Sequence, residues 1–223
     1  ETGETAAGFR EKGFFPDGFI NMLVLLGWNP GTEKEIFSMD ELIEQFSLER
    51  IGKAGAKFDY EKAKWFNQQY IKQKDDRELA EMFQPILKKK GIKKQEQYVI
   101  EVCRLLKERV TFIPDLWENG SFFFQQPVAY DEKVVRKKWN ADKKLLFEEI
   151  KKELNQLDRF VAIEIEKVVK QAIEQHQLNL GEILPLFRTI LSGIMSGPPV
   201  FEIAALLGKE ETIRRMERFF QLP

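Results

Sequence analysis

Apolar residues recur at spacings of three and four along nearly the whole chain, and no other feature limits the fold as strongly. Leu79, Met82, Phe83 and Ile86 form one such stripe, and Val99, Val102, Cys103, Leu106 and Val110 form another. Residues three and four apart share one face of an α-helix, so each stripe predicts an amphipathic helix with one buried side. Two-residue alternation is unconvincing, apart from possible short strand pieces in the first 60 residues. At 43% hydrophobic and 32% charged residues, the chain has enough apolar material for real cores under a polar surface. A mainly α globular fold is expected, in one large domain or two to three small ones over 223 residues.

Capping and breaking residues divide this pattern into segments. Pro16 suits the first turn of a helix, where its missing N–H costs nothing. The apolar run 19–26 follows, and Gly27 is expected to end it as a left-handed cap. Asn29-Pro30-Gly31 reads as a turn. Ser38 and Glu41 form an S-x-x-E capping box ahead of Leu42, Ile43 and Phe46. Residues 52–57 read as a small basic loop, and Asp59 caps a helix carrying Ala63, Phe66 and Tyr70. The polar break 72–76 is a candidate boundary. The next stripe ends at Lys88, Lys89, Lys90 and Gly91, cations then glycine, which suits a helix C-terminus. Pro114 and Asn119-Gly120 open an irregular stretch through Pro127, a second candidate boundary. It holds Phe122, Phe123 and Phe124, which could stack on bases but more simply seal an interface between helical subdomains. The last third reads as three or four more helices. Trp139, Leu145, Leu146, Ile150 and Leu154 mark one, and Phe160, Ile163, Val168, Val169 and Ile173 the next. Asn179 with Glu182 caps another, with Ile183, Phe187, Ile190 and Ile194 inward and Pro185 as a kink. Residues 196–199 form a rigid turn, a short helix Val200–Leu207 ends at Gly208, and a last helix carries Ile213, Met216, Phe219 and Phe220.

Little in this sequence suggests catalysis. Cys103 is the only cysteine and His176 the only histidine. Intrachain disulfides are therefore impossible, which fits a reducing, cytoplasmic compartment. Zinc sites built from Cys and His need three or four such ligands. Cys103 lies on an apolar stripe, and His176, in the polar stretch 174–179, reads as a solvated surface residue. Glu148/Glu149 and similar pairs sit among lysines and read as solvated charge. Gly52-Lys53-Ala54-Gly55 lacks the spacing of a phosphate-binding loop. The longest apolar runs, such as residues 22–26, fall well short of the roughly 20 residues that span a bilayer, and no signal peptide opens the chain. The first residue is Glu1 and residues 1–8 read as loop, so further chain upstream is expected.

Net charge is −1, yet its distribution is uneven: residues 88–152 hold 16 Lys or Arg against 10 Asp or Glu. Such lysine-rich helices are most simply solvated faces balanced by glutamate one turn away. A basic patch of this kind also suits a phosphate backbone.

Three blocks carry a more specific signal. Arg10-Glu11-Lys12-Gly13-Phe14 with Asn21-Met22-Leu23-Val24-Leu25-Leu26-Gly27-Trp28 resembles the segment just after the ATP-binding loop of class I glutamate–tRNA ligases of bacterial type. Phe58-Asp59, Lys62, Trp65, Asn67 and Gln69-Tyr70-Ile71 look like that family's F-D-x-x-K-x-x-W-x-N-x-x-Y-I pattern. Gly197-Pro198, Phe201-Glu202-Ile203 and Leu206-Leu207-Gly208-Lys209-Glu210 form the third block.

The resemblance implies a stem-contact α/β piece at residues 1–73. A first anticodon-binding helical subdomain at 74–130 and a second helical bundle at 131–223 would follow. It implies a tRNA specific for glutamate as partner. Glutamate, ATP and magnesium would be handled by an upstream catalytic domain with H-I-G-H-like and K-M-S-K-S-like motifs, neither of which occurs here. The piece in hand would then bind tRNA without catalytic residues, metal or cofactor of its own, be inactive alone, act as a monomer in the cytoplasm and not engage membranes. By the same resemblance, Arg109 matches the arginine that discriminates the third anticodon base, and Arg188 a second contact. Gly197, Pro198 and Val200 match the turn on which the anticodon bases pack, and Lys170 a further basic contact. Arg109 falls on the shoulder of its helix's inward stripe, where a guanidinium can reach a groove while its stem stays packed. Each residue also has a plainer reading, as a surface ion-pair partner or a turn residue. The alternatives are a helical protein–protein interaction module without tRNA selectivity, and a shortened relative that glutamylates a modified tRNA base. Those relatives lack the block at 197–210.

Overall fold

The computed structural model describes residues 8–53 and 55–221. Residues 1–7 of the expected leading loop, and Ala54 in the expected basic loop, lie outside the described residues. Among the described residues the fold is mainly α: twelve α-helices joined by short connections, with no named strand. The α/β character expected near the start is confined to one antiparallel bridge, Trp28 with Ile51. No helix among the described residues is long and apolar enough to cross a membrane.

The chain forms two compact units, one comprising residues up to Gly91 with Lys107–Trp117, the other Ile92–Leu106 with residues from Glu118 onward. In the first unit, α1 (Pro16–Gly27) lies against α3 (Tyr60–Gln73), and α2 (Met39–Gln45) and α4 (Asp76–Lys89) complete the helices. Phe14, Met22, Ala63 and Phe66 make its main core, flanked by Phe9, Phe19 and Phe112. Trp28, Phe37 and Leu42 form a second cluster. Buried Asn21 and Asn67 satisfy backbone that helices leave open. Asn21 accepts from the Phe37 N–H at 2.9 Å, and Asn67 accepts from Phe15 N–H at 2.7 Å while donating to the Thr111 carbonyl at 2.5 Å. The capping box is complete, with Ser38 and Glu41 each serving the other's backbone, and Asp59 caps α3 through the N–H groups of Glu61 and Lys62.

Gly27 departs from expectation: it is the last helical residue, and Trp28 leaves α1 in extended geometry. The bridge explains this, because Gly52 N–H bonds the Gly27 carbonyl at 2.8 Å and Asn29 N–H bonds that of Arg50 at 3.2 Å. A left-handed cap would turn the chain away from both.

The chain crosses from the first unit into the second within α6 (Asp115–Gly120), where sequence suggested irregular backbone. Asp115, its first residue, closes the turn ahead of it: Oδ2 accepts from the N–H groups of Thr111 and Phe112, at 2.8 and 2.9 Å. The second unit comprises α5 (Glu96–Leu106), α7 (Glu132–Lys138), α8 (Ala141–Gln156), α9 (Ala162–Gln175), α10 (Leu180–Ser192), α11 (Val200–Leu207) and α12 (Lys209–Phe220). In it, α8 packs on α9 and α12, while α11 packs on α5, α9, α10 and α12. Helix α7 was not legible. It is a separate two-turn piece, capped by Asp131 and divided from α8 by Trp139 and the cap Asn140. Phe122 and Phe123 are buried in this unit, in a 3-10 turn packed on α10 and α11.

Pro185 cannot donate to the carbonyl of Gly181, four residues earlier. Lys138 replaces the lost donor: its Nζ lies 3.2 Å from that carbonyl and 3.4 Å from that of Glu182. Ile194, expected to face inward, is 39% exposed. It lies past the end of α10, because Gly193 at φ +80° turns the chain into the left-handed region.

Candidate nucleic-acid interface

The loop from α10 to α11 is built by its own sequence. Ser192 Oγ donates to the Arg188 carbonyl at 2.8 Å. Gly193 then reverses the chain, and Asp131 N–H bonds its carbonyl at 2.8 Å. Arg188, half-buried on the last turns of α10, reaches forward: Nη1 donates to the Met195 carbonyl at 3.2 Å. Gly197 has φ +146° with nothing where a Cβ would stand. Pro198 is buried, Pro199 is the exposed N-cap of α11, and Val200 is buried in its first turn. Ile194 and Met195 remain exposed at 39% and 52%.

The surface that results is small, fixed and mixed in character. It has apolar side chains that a flat ring can cover, and a guanidinium whose planar fork suits base edges or phosphate. The N-terminal, positive end of α11 lies at the same place. Of the expected site residues, Arg188, Gly197, Pro198 and Val200 are therefore brought together here.

The other two are not part of this loop. Lys170 is exposed on α9 and bound to Glu166 one turn back, at 2.5 Å. Arg109 belongs to the first unit and sits past the end of α5, in a 3-10 turn Lys107–Arg109 rather than on a helix shoulder. That turn is pinned by its other members. Lys107 pairs with Asp76 at 2.7 Å and Glu108 with Lys72 at 3.1 Å, which leaves Arg109 exposed at its end.

Part of the basic excess is structural. Lys143, only 7% exposed by side chain, pairs with Glu182 at 3.0 Å, and Lys144 donates to the Phe220 carbonyl at 3.2 Å. Lys151 lies between Glu148 at 2.9 Å and Glu217 at 3.6 Å, and the hydrogen bond to Glu148 raises its pKa. His176 is exposed and its Nε2 lies 2.8 Å from Glu149. The lysines at 88–90, 93 and 94 stay on the surface.

Sequence reasoning missed Arg215, which organises the second unit. It is 2% exposed, and its guanidinium bonds Glu211 at 2.7 Å, the Leu191 carbonyl at 2.6 Å and the Gln125 carbonyl at 3.3 Å. The signal was present: Thr212, Arg215, Met216 and Phe219 share one helix face by spacing, so the arginine lies in the apolar stripe. Tyr98 does similar work, donating to the Phe123 carbonyl at 2.6 Å, and burial pushes its pKa up to about 12.

Residues 78–220 match the family model of the anticodon binding domain, and residues 4–65 that of the class I tRNA synthetase catalytic domain (E and Q). A glutamate–tRNA ligase from Porphyromonas gingivalis is 45% identical over 222 residues, which is all of this chain but 44% of the relative. One from Phocaeicola vulgatus is 48% identical over 98% of the chain and 43% of the relative. The crystal structure of a glutamate tRNA ligase from Elizabethkingia meningosepticum, in complex with its amino acid, matches 99% of this chain and 44% of that one, at 38% identity and TM-score 0.91. The chain thus spans less than half the length of these relatives. With the anticodon-binding model matched over more than half of its residues, the chain belongs to the anticodon binding domain family.

Proposed function

We propose that this chain reads the anticodon loop of a glutamate tRNA, as part of a glutamate–tRNA ligase that joins glutamate to its tRNA at the expense of ATP with magnesium. One observation carries the reading. The region matching the anticodon binding domain contains a fixed turn at which Arg188, Gly197, Pro198 and Val200 converge. Bases of an unwound loop would cover Ile194 and Met195 while the arginine meets an edge or phosphate; single-stranded loops are the usual targets of sequence-specific RNA recognition. Arg109 would read the third anticodon base, and Lys170 would add attraction to phosphate without sequence information. Residues 1–73 would contact the tRNA stem, 74–130 form the first anticodon-binding region and 131–223 the second. The chain alone would bind tRNA as a monomer, in the cytoplasm, and would not activate glutamate, since it has neither an H-I-G-H-like nor a K-M-S-K-S-like motif.

The test is a titration of the chain at low and moderate salt with glutamate tRNA, the same tRNA with a changed anticodon, and an unrelated tRNA. Preference for the first, lost on changing the anticodon, is the expected result. Equal and steeply salt-dependent binding of all three would reduce the role to electrostatic attachment. No binding at either salt would leave the chain as a protein-interaction module.

A further inference from the structure

A cavity of about 710 Å³ in the second unit is remote from the turn just described. It opens where the residues before α5 meet the junction of α11 and α12. Helix α11 runs antiparallel to α5, with Arg104 near Glu202 and the start of α5 near Gly208. The turn at Pro198 lies at one end of α11 and the cavity at the other, so an eight-residue helix, about 12 Å, separates them. None of the residues assigned to the anticodon lines it.

Its floor is the segment 123–126, held rigid from behind. The carbonyls of Phe123 and Gln125 are bound by Tyr98 and Arg215, and Gln126 Oε1 accepts from Arg218 at 2.7 Å. The NH2 group is therefore what Gln126 can offer a ligand. Tyr98 and the half-buried Phe124 meet edge to face, centroids 6.0 Å apart, and form the aromatic wall. Lys94 lies over the Tyr98 ring at 5.0 Å, and Arg214, 61% exposed by side chain, stands at the rim. The Lys209 ammonium is held by the carbonyls of Asn155 and Leu157, and three cations remain at the space: exposed Lys94 and Arg214, and buried Arg215 behind them. They face two carboxylates, Glu210 and Glu211, and the second is already bound by Arg214 and Arg215. A chain of net charge −1 thus has a locally positive, aromatic-walled recess. Its volume falls within the roughly 300–1,000 Å³ typical of ligand pockets.

We infer that this recess takes one unstacked nucleotide of the bound RNA, outside the anticodon, with its base against Tyr98 and Phe124 and its phosphate between Lys94 and Arg214. Ring faces combined with mobile cations are how single-stranded nucleic acid is held without reading sequence. An amide in the floor adds a donor for a base edge. The inference rests on the tRNA-binding reading above, and adds a second point of attachment that does not depend on the anticodon.

The test compares the 223-residue chain with the double variant Lys94→Ala, Arg214→Ala, both exposed positions, after checking that their urea midpoints agree. The titrations use glutamate tRNA and its anticodon-changed form, and a 4-thiouridine tRNA is photocrosslinked in parallel. The double variant is expected to bind both tRNAs about tenfold more weakly, with a salt slope smaller by about two. Crosslinks are expected to peptides holding Tyr98 or residues 123–126. Unchanged affinity in a wild-type chain that still discriminates the anticodon, with no such crosslinks, would overturn this inference and leave the anticodon reading intact. A wild-type chain that binds no tRNA would overturn both.

Discussion

Gly193 shows how much a single residue settles. At φ +80° it occupies the left-handed region, and a Cβ there would stand 2.6 Å from the Ala129 carbonyl oxygen and 2.9 Å from Pro127. Gly91, at φ +71°, has the same handedness with nothing near its missing Cβ. Handedness alone costs about 1–2 kcal/mol. Gly91→Ala should therefore destabilise by about that much and Gly193→Ala by clearly more, in urea denaturation. Equal losses would mean the crowding around Gly193 relaxes at no cost. Arg109 is the corresponding case for function. Arg109→Gln should weaken discrimination at the third anticodon base more than it weakens binding overall. Equal loss for cognate and third-base-changed tRNA would remove that role.

At the scale of elements, buried polar groups join the helices of each unit. Lys143 of α8 is 7% exposed and bound to Glu182 of α10. Removing one partner of a buried pair leaves a charge uncompensated, whereas an apolar replacement of similar shape is often neutral. Glu182, 43% exposed, lets water soften the effect. Glu182→Gln should cost about 1–2 kcal/mol in urea denaturation and Lys143→Met less; the reverse order would mark the lysine's charge as the stabilising feature. Tyr98 and Tyr70 are held by burial at about pKa 12, and each donates to a carbonyl on a neighbouring segment, Phe123 and Phe37. The folded values lie above the unfolded one, so their contribution is complete below about pH 10 and is lost as pH rises towards 12. Absorbance at alkaline pH should show these two tyrosines ionising only near the unfolding step, with Tyr130, also pushed up by burial, ionising above the ordinary range, and Tyr98→Phe should remove one of the late steps. Ionisation of all four tyrosines near pH 10 in the folded chain would contradict this.

For the whole molecule, net charge −1 and a strongly basic segment point in different directions. The structure divides that segment into bound and exposed cations. Lys143, Lys144 and Lys151 are engaged with carboxylates or carbonyls, Lys144 while itself exposed, whereas the exposed lysines at 88–90 and at 93 and 94 have no carboxylate within ion-pair distance among the described residues. Each phosphate contact contributes about one to the salt slope. Substituting Lys88 and Lys89 with alanine should therefore flatten the salt dependence of tRNA binding more than substituting Lys144 and Lys151. It should leave anticodon discrimination unchanged, as titrations across salt would show. An equal effect would mean that the bound lysines still present their charge to RNA.

The sequence by itself determined the helical class, the capping box at Ser38, the cap at Asp59, the family resemblance and the turn at 196–199. All of these rest on local period, local hydrogen bonding or contiguous motifs, which need no distant partner. It left open mainly what depends on residues far apart in the chain, together with two local effects that spacing alone did not reveal. The bridge from Trp28 to Ile51 overrode the left-handed cap expected at Gly27, and Gly193 turned Ile194 out of the stripe that its spacing suggested. A helix opens at Asp115, whose carboxylate closes the preceding turn, where proline, asparagine and glycine suggested none. Only tertiary structure placed Arg188 against the turn, placed Arg109 in a different unit, and buried Arg215 behind the floor of a recess that no motif marks. For the bridge, for Arg188 and for Arg215 the physical reason is shared. Desolvating a carbonyl or a charge is costly, and which group satisfies it is decided by what the fold brings near, not by what stands next to it in sequence.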